Sequence, residues 1–301
     1  MKVFVTGGTG LIGSRLIPFL LKDGNEVSLL VRNVDAARKK FGGTVSYFSD
    51  FNALTSMDGF DAVINLAGEP ILGKRWTKKQ KERITQSRWQ ITEKLASLIR
   101  ASANPPQVFI SGSATGYYGP WGDEILTEES PGRGDFPHLV CKIWEEKALK
   151  AASERTRVCI LRTAVVMAKE GGMLAELLPL FRFRLGTVLG TGKQYLPWIH
   201  MEDMLRIILF LMKNPDASGI FNATSPEPVI NKNFTDALAG RLHRCRFLRA
   251  PSFMLSLMLG EASGMLLHGQ RAVPERLQNL GFTFLFSDLS SALKDLVPEK
   301  T

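Results

Sequence analysis

The chain opens with a short apolar run, Lys2 to Thr6, that feeds into glycines at positions 7, 10 and 13. A run of that length bounded by glycine predicts a buried strand. Leu11 to Lys22 follows at helical spacing and stops at Asp23-Gly24, with Pro18 inside, where it should kink the helix or remove one backbone bond. Strand, glycine turn and helix in this order begin a βαβ unit. Gly7 lets the chain turn sharply out of the strand, Gly10 lacks a Cβ where a pyrophosphate would approach, and Gly13 lets the helix lie close to the sheet. The helix start then offers free N–H groups and the positive end of its dipole to phosphate. The motif predicts a dinucleotide site; its bland alternative is a glycine turn with no ligand.

The alternation continues. Glu26 to Val31, Asp61 to Leu66, Gln107 to Ser111 and Arg157 to Val166 read as strands, and Lys78 to Ala101 and Phe136 to Ser153 as helices. This order predicts an α/β fold, a Rossmann-type doubly wound parallel sheet with helices on both faces. Beyond residue 167 the pattern loosens. Met204 to Lys213 reads as a helix, Gly219 to Ala223 as a strand completing the sheet, and the chain from Thr235 onward as mainly helical. We divide the chain into a nucleotide-binding domain, 1–167, and a smaller, mainly helical substrate-side lobe, 168–301. Phe253 to Leu267 is too short to span a bilayer and is interrupted by Glu261, so a buried helix pair is expected there.

The second strand ends at Val31-Arg32-Asn33. An acidic side chain at this place accepts from the adenosine ribose hydroxyls and suits NAD, whereas a cation suits the 2′-phosphate of NADP. Arg32 can grip a phosphate with two parallel bonds, so NADP(H) is the expected cofactor.

Further motifs carry a family resemblance. They are Asn65-Leu66-Ala67-Gly68-Glu69-Pro70, Lys74-Arg75-Trp76, Ser87-Arg88-Trp89, the stretch Ser111 to Gly119, Leu161-Arg162-Thr163, Leu196 to His200, and Gly269 to Pro274. With the glycine turn, these resemble the extended short-chain dehydrogenase/reductase superfamily along nearly the whole chain. More narrowly, they resemble the bacterial "epimerase family protein YfcH" group, with its NAD(P)-dependent epimerase/dehydratase names. The resemblance implies cofactor contacts from Gly7, Thr9, Gly10, Leu11, Ile12 and Gly13, and from Leu66, Ala67 and Gly68 on the adenosine and ribose side. Thr163, Ala164 and Val165 would border the nicotinamide. Arg88 falls where relatives often carry an asparagine near the cofactor; its charge suits a phosphate or the substrate.

The resemblance also implies hydride transfer on an alcohol or carbonyl of a small-molecule, sugar-nucleotide-like substrate. Relatives use Ser/Thr, Tyr and Lys, with the tyrosine four residues before the lysine; the lysine charge lowers the tyrosine pKa so that it passes a proton. Ser113 fits the serine and Lys142 the lysine, but His138 stands where the tyrosine is expected. Histidine titrates near neutrality and can act as acid or base, or can be a plain polar surface residue. Tyr117 and Tyr118 are the other proton-donor candidates. Cys141 reads as packed core rather than a low-pKa thiol. Glu69, Trp198 and His200 are substrate-side candidates, with packing between the lobes the alternative for the last two.

Composition narrows the classes. Hydrophobic residues at 45% and charged residues at 22% fit an ordinary globular protein. The net charge of +9 comes from scattered groups, among them Arg38-Lys39-Lys40 and Arg241, Arg244, Arg246 and Arg249, which read as solvated helix faces; we expect no nucleic-acid partner. Cys141, Cys159 and Cys245 are too widely spaced for a zinc site or disulfide framework, and no metal is expected. No secretory signal is visible, so a cytoplasmic protein with no membrane partner is expected, with room for a homodimer. The rival reading is a catalytically impaired NADPH-binding sensor, which the missing tyrosine supports.

Overall fold

Alternation within the first strand sets up two layers of helix. Val3 and Val5 pack against Leu16, Ile17 and Leu20 and against Met204, Leu205 and Ile208. Phe4, between them, turns to the other face and meets Leu95, Ile99 and Phe109. Successive strand side chains point to opposite faces, so a strand apolar on both must lie between two helical layers. The structure is a computed structural model and describes residues 1–52, 54–244 and 248–298. Cys245 and Arg246 therefore lie outside the described residues.

In chain order the elements are β1 (Lys2–Thr6), α1 (Gly13–Lys22), β2 (Glu26–Leu30), α2 (Val34–Phe41), β3 (Ser46–Phe48), β4 (Ala62–Asn65), α3 (Lys78–Arg100), β5 (Val108–Ala114), β6 (Ile125–Leu126), α4 (Phe136–Leu149) and β7 (Arg157–Thr163). Then follow β8 (Val165–Met167), α5 (Gly172–Arg182), β9 (Thr187–Leu189), β10 (Tyr195–Leu196), β11 (Trp198–His200), α6 (Met201–Lys213) and β12 (Gly219–Ala223). The chain closes with β13 (Val229–Ile230), α7 (Asn231–Arg241), β14 (Leu248–Ala250), α8 (Ser252–Leu259), α9 (Gly264–Leu267), β15 (Arg271–Ala272), α10 (Glu275–Asn279) and α11 (Leu289–Leu296). Seven strands form the central sheet in the order β12-β7-β5-β4-β1-β2-β3. All its neighbours are parallel, the doubly wound arrangement expected, with β12 completing the edge.

Two local expectations are corrected and one is met in part. The run 157–166 is two strands: the Ala164 amide donates to the Ala223 carbonyl, and the chain then leaves the sheet so that β8 pairs with β11. The expectation for Pro18 is met in its second form: α1 runs through Pro18, which stands on the exposed face, and the missing N–H leaves the Ser14 carbonyl without its amide donor. The expected buried pair at 253–267 is not buried: Phe253 is 70% and Leu257 75% exposed, and α8 has no buried residue. A helix apolar on every side can turn only one side to its own chain; Leu259, Ala262 and Met265 reach the cluster around Trp76 and Ile84, and the rest face outward.

Trp198 and His200, expected beside the substrate, are structural. Trp198 is buried in the second core cluster with Phe181, Phe234 and Leu293, and its indole N–H donates to the Glu227 carbonyl at 3.3 Å. His200 caps α6 by accepting the Glu202 amide on Nδ1, lies against the Phe286 ring with centroids 3.7 Å apart, and meets Asp295 with Nε2 at 3.3 Å.

Burial pushes the His200 imidazole below its ordinary value, with Asp295 opposing in part. The unfolded chain then binds a proton that the folded chain does not, so stability is complete above a pH of about 6.5 and falls as the pH drops through that value. The melting temperature should decline from about pH 7.5 to about pH 5.5, and His200→Gln should decline less steeply. Equal slopes for the two proteins would contradict a neutral, buried His200.

Candidate active site

The strand order reverses between β1 and β4, and there two carboxyl ends open a crevice, the place where ligands bind in open α/β sheets. Gly7 has a φ of +72° and lies so close to the end of β4 that a Cβ would stand 2.5 Å from the Leu66 carbonyl carbon and 2.7 Å from the Ala67 nitrogen. A Cβ on Gly13 would strike the Gly7 carbonyl oxygen. Both glycines are therefore required by backbone approach. Below the turn, Thr6 Oγ1 donates to Asn65 Oδ1 at 2.6 Å and Asn65 Nδ2 donates to Thr92 Oγ1 at 2.8 Å, which clamps β1, β4 and α3 together. Above it, Thr9 and Gly10 are exposed and Leu11 and Ile12 half-buried. α1 starts with no side-chain cap and no acid in its first turn, so its first amides are open to an anion. Arg32, just past β2, is exposed. Leu66, Ala67 and Gly68 border the crevice after β4, and Thr163, Ala164 and Val165 lie at the end of β7.

Beneath the crevice is a buried polar network. Arg162, 1% exposed on β7 next to the edge strand β12, meets Glu145 of α4 through two parallel bonds, Nε to Oε1 at 3.0 Å and Nη2 to Oε2 at 2.9 Å. Ser113 Oγ donates to Glu145 Oε1 at 2.6 Å. Arg162 Nη1 donates to the Tyr118 hydroxyl at 3.1 Å, and that hydroxyl lies 2.7 Å from Asn222 Oδ1 and 3.0 Å from the Thr127 carbonyl. The Asn222 amide in turn donates to Glu128 Oε1 at 2.9 Å. Tyr118 is 0% exposed, and burial pushes its phenol up to about 12. As a proton donor to a ligand it is corrected: its hydroxyl is committed inside the protein. Cys141 is also core, its thiol pushed up to about 12 by burial.

The remaining candidates are reachable. Tyr117 is half-buried, its ring 3.4 Å below the Arg162 guanidinium carbon. His138 Nδ1 lies 2.6 Å from the Tyr117 carbonyl oxygen. A carbonyl only accepts, so Nδ1 carries the proton and Nε2 of the neutral ring keeps a lone pair. Lys142, one turn on along α4, is exposed. Glu69 accepts Lys74 Nζ at 3.1 Å, and that bond holds its carboxyl below the usual range. Arg88 lies against Gly68 and the Trp144 ring.

Glu145, Arg162, Asn222 and Glu128 were not foreseen as a group. The available signal was a lone arginine inside the apolar run Val158 to Leu161 that continues to Thr163, since charges are almost never fully buried unless paired. Removing one partner of such a pair costs about 3–5 kcal/mol. Glu145→Ala should lose stability of that order in urea unfolding and Glu145→Gln less; a loss well under 1 kcal/mol for the alanine variant would contradict a load carried by this pair.

Residues 3–224 match the model of the NAD dependent epimerase/dehydratase family, and residues 250–296 match a domain of unknown function. An Arabidopsis thaliana protein, epimerase family protein SDR39U1 homolog, chloroplastic, is 36% identical over 99% of this chain and 87% of its own. Epimerase family protein YfhF of Bacillus subtilis is 35% identical over 100% of this chain and 99% of its own. The crystal structure of human epimerase family protein SDR39U1 (isoform 2) with NADPH aligns with a TM-score of 0.91 at 31% identity over 99% of each chain. UDP-glucuronic acid 4-epimerase from Bacillus cereus, at 16% identity and a TM-score of 0.79 over 99% of each chain, shares the fold. This chain belongs to the NAD dependent epimerase/dehydratase family, within the extended short-chain dehydrogenase/reductase superfamily.

Proposed function

We propose that this protein binds NADP(H) in the crevice between β1 and β4 and carries out hydride transfer on an alcohol or carbonyl of a small-molecule substrate. The observation that carries the reading is the approach of Gly7 to Leu66 and Ala67 beneath an uncapped helix start. The residues there fit a dinucleotide. The amides of Leu11 to Gly13 hold the pyrophosphate, while the Gly10 amide closes the turn by donating to the Gly7 carbonyl at 3.0 Å. Arg32 selects the 2′-phosphate, in keeping with the NADPH of the human relative. Leu66, Ala67 and Gly68 line the adenosine and ribose side, and Thr163, Ala164 and Val165 border the reacting end. Residues 1–167 with β12 serve as the cofactor side and residues 168–301 as the substrate side. When bound, the nicotinamide takes or gives the hydride.

The chain's own groups handle the proton. Ser113 spends its O–H on Glu145, so toward a substrate it presents only lone pairs, which can accept from a hydroxyl beside the reacting one. His138 Nε2, with Nδ1 tied to the Tyr117 carbonyl, takes the alcohol proton. Lys142, four residues on, stabilises the negative charge that develops on that oxygen. A second reading, an NADPH-binding sensor without turnover, is favoured by a departure from the family pattern in the catalytic residues, His138 in place of tyrosine. A sugar-nucleotide-like substrate is suggested by a Corynebacterium glutamicum relative described as a nucleoside-diphosphate sugar epimerase, 31% identical, of whose chain this protein covers 58%.

Two measurements test the proposal. Calorimetric titration should give clear NADPH binding, weakened about tenfold or more in Arg32→Ala, with NADH little affected. NADPH oxidation across a panel of small aldehydes and ketones should exceed background and drop roughly 100-fold in Lys142→Ala. Binding without turnover on the panel supports the sensor. A preference for NADH over NADPH contradicts the role of Arg32.

A further inference from the structure

Arg88 of α3 reaches into the gap between the loop after β4 and helix α4. Its Nη1 is used up, donating to the Glu69 carbonyl at 2.9 Å and the Ile84 carbonyl at 3.1 Å. Its Nε and Nη2 donate to no group among the described residues, and no carboxylate there lies within ion-pair distance; the Glu69 carboxylate is taken by Lys74. The side chain is half-buried, and burial pulls its pKa down from the ordinary arginine value. An arginine stays charged regardless, so the fold holds a partly desolvated cation that the Glu69 carboxylate supports at a distance but does not bond.

The surroundings leave that edge open. A Cβ on Gly68 would stand 3.0 Å from Cζ, 3.1 Å from Nη2 and 3.3 Å from Nε, so a larger residue there would crowd the guanidinium as it is placed. On its other side Cζ lies 5.2 Å from the centre of the Trp144 ring. Trp144 is 6% exposed, and its Nε1–H is buried without a hydrogen-bond partner. The Trp144 ring also abuts Gly112, where a Cβ would be 3.1 Å from Cη2, one residue before Ser113. Arg88 thus stands on the β5 side of β4, toward Ser113. The uncapped start of α1, with its own free amides, serves the pyrophosphate.

We propose that the Nε/Nη2 edge of Arg88 receives an oxyanion of the substrate, a carboxylate or a phosphate, through two parallel hydrogen bonds, and so makes the protein selective for anionic substrates. The proposal deepens the reading above and rests on the cofactor filling the neighbouring crevice.

Acetate and inorganic phosphate are titrated calorimetrically into protein saturated with NADP⁺, for wild type, Arg88→Met and Arg88→Lys. Wild type should take up at least one of the two anions. Arg88→Met should bind it about tenfold more weakly or worse, and Arg88→Lys, which keeps the charge and loses the fork, should fall between. The NADPH dissociation constant should stay within about threefold of wild type in both variants, since the charge-assisted bonds being removed are worth far more. Equal anion affinity in wild type and Arg88→Met, or no uptake by wild type, overturns the proposal. A loss of NADPH affinity in Arg88→Met matching the loss of anion affinity also overturns it, because the edge then serves the cofactor's pyrophosphate. Wild type that binds no NADPH sinks the cofactor reading instead, and the same titrations into free protein still decide whether the edge takes an anion. If Arg88→Met does not fold, Arg88→Lys carries the comparison.

Discussion

A guanidinium that is 1% exposed must be neutralised where it stands, and the interior of this protein is arranged around doing so for Arg162. Glu145 answers its charge from α4, Tyr118 accepts from Nη1, and the Glu128 carbonyl accepts from the same nitrogen at 3.2 Å. These bonds tie β5, β7, β12 and α4 into one unit through Ser113, Arg162, Asn222 and Glu145. Elements that must each give up a buried bond in order to move will not move separately. The direction of the Ser113 hydroxyl follows from this arrangement, and with it what that hydroxyl offers to a substrate.

The crevice above shows the opposite character. Inside, nearly every polar group has a partner; along the rim, several lack one. The uncapped start of α1 leaves amides open, Arg32 and Lys142 are exposed, and Arg88 keeps one edge unused. An excess of nine positive charges over the whole chain is a weak signal, whereas the exposed Arg32 past β2 and the unused edge of Arg88 on the β5 side of β4 are separate places to which our reading assigns anionic groups.

Much of the fold was legible because its signals are local. Glycines at 7, 10 and 13 announced the strand-turn-helix, and short apolar runs marked six of the seven strands of the central sheet, missing the three-residue β3 at its edge. The outlying strand at 219–223 was legible for the same reason. What was not legible depends on which side of an element meets a partner. Tyr117 and Tyr118 are neighbours of one chemistry, yet one is half-buried at the rim and the other closed inside, a difference set by β7 and β12 lying far along the chain. Trp198 and His200 carry the resemblance as clearly as the glycine turn, but serve packing. The apolar segment at 253–267 misled for a related reason: hydrophobicity says that a side chain is stabilised by burial, not that the chain has a surface to bury it against.

Amide hydrogen exchange with and without NADPH tests the central claim most directly. Slowed exchange at residues 7–14 and 66–69, with β3 and α11 unchanged, is the expected outcome for a dinucleotide seated where β1 and β4 part. Unchanged exchange at 7–14 under saturating NADPH, or protection confined to another part of the surface, would contradict it.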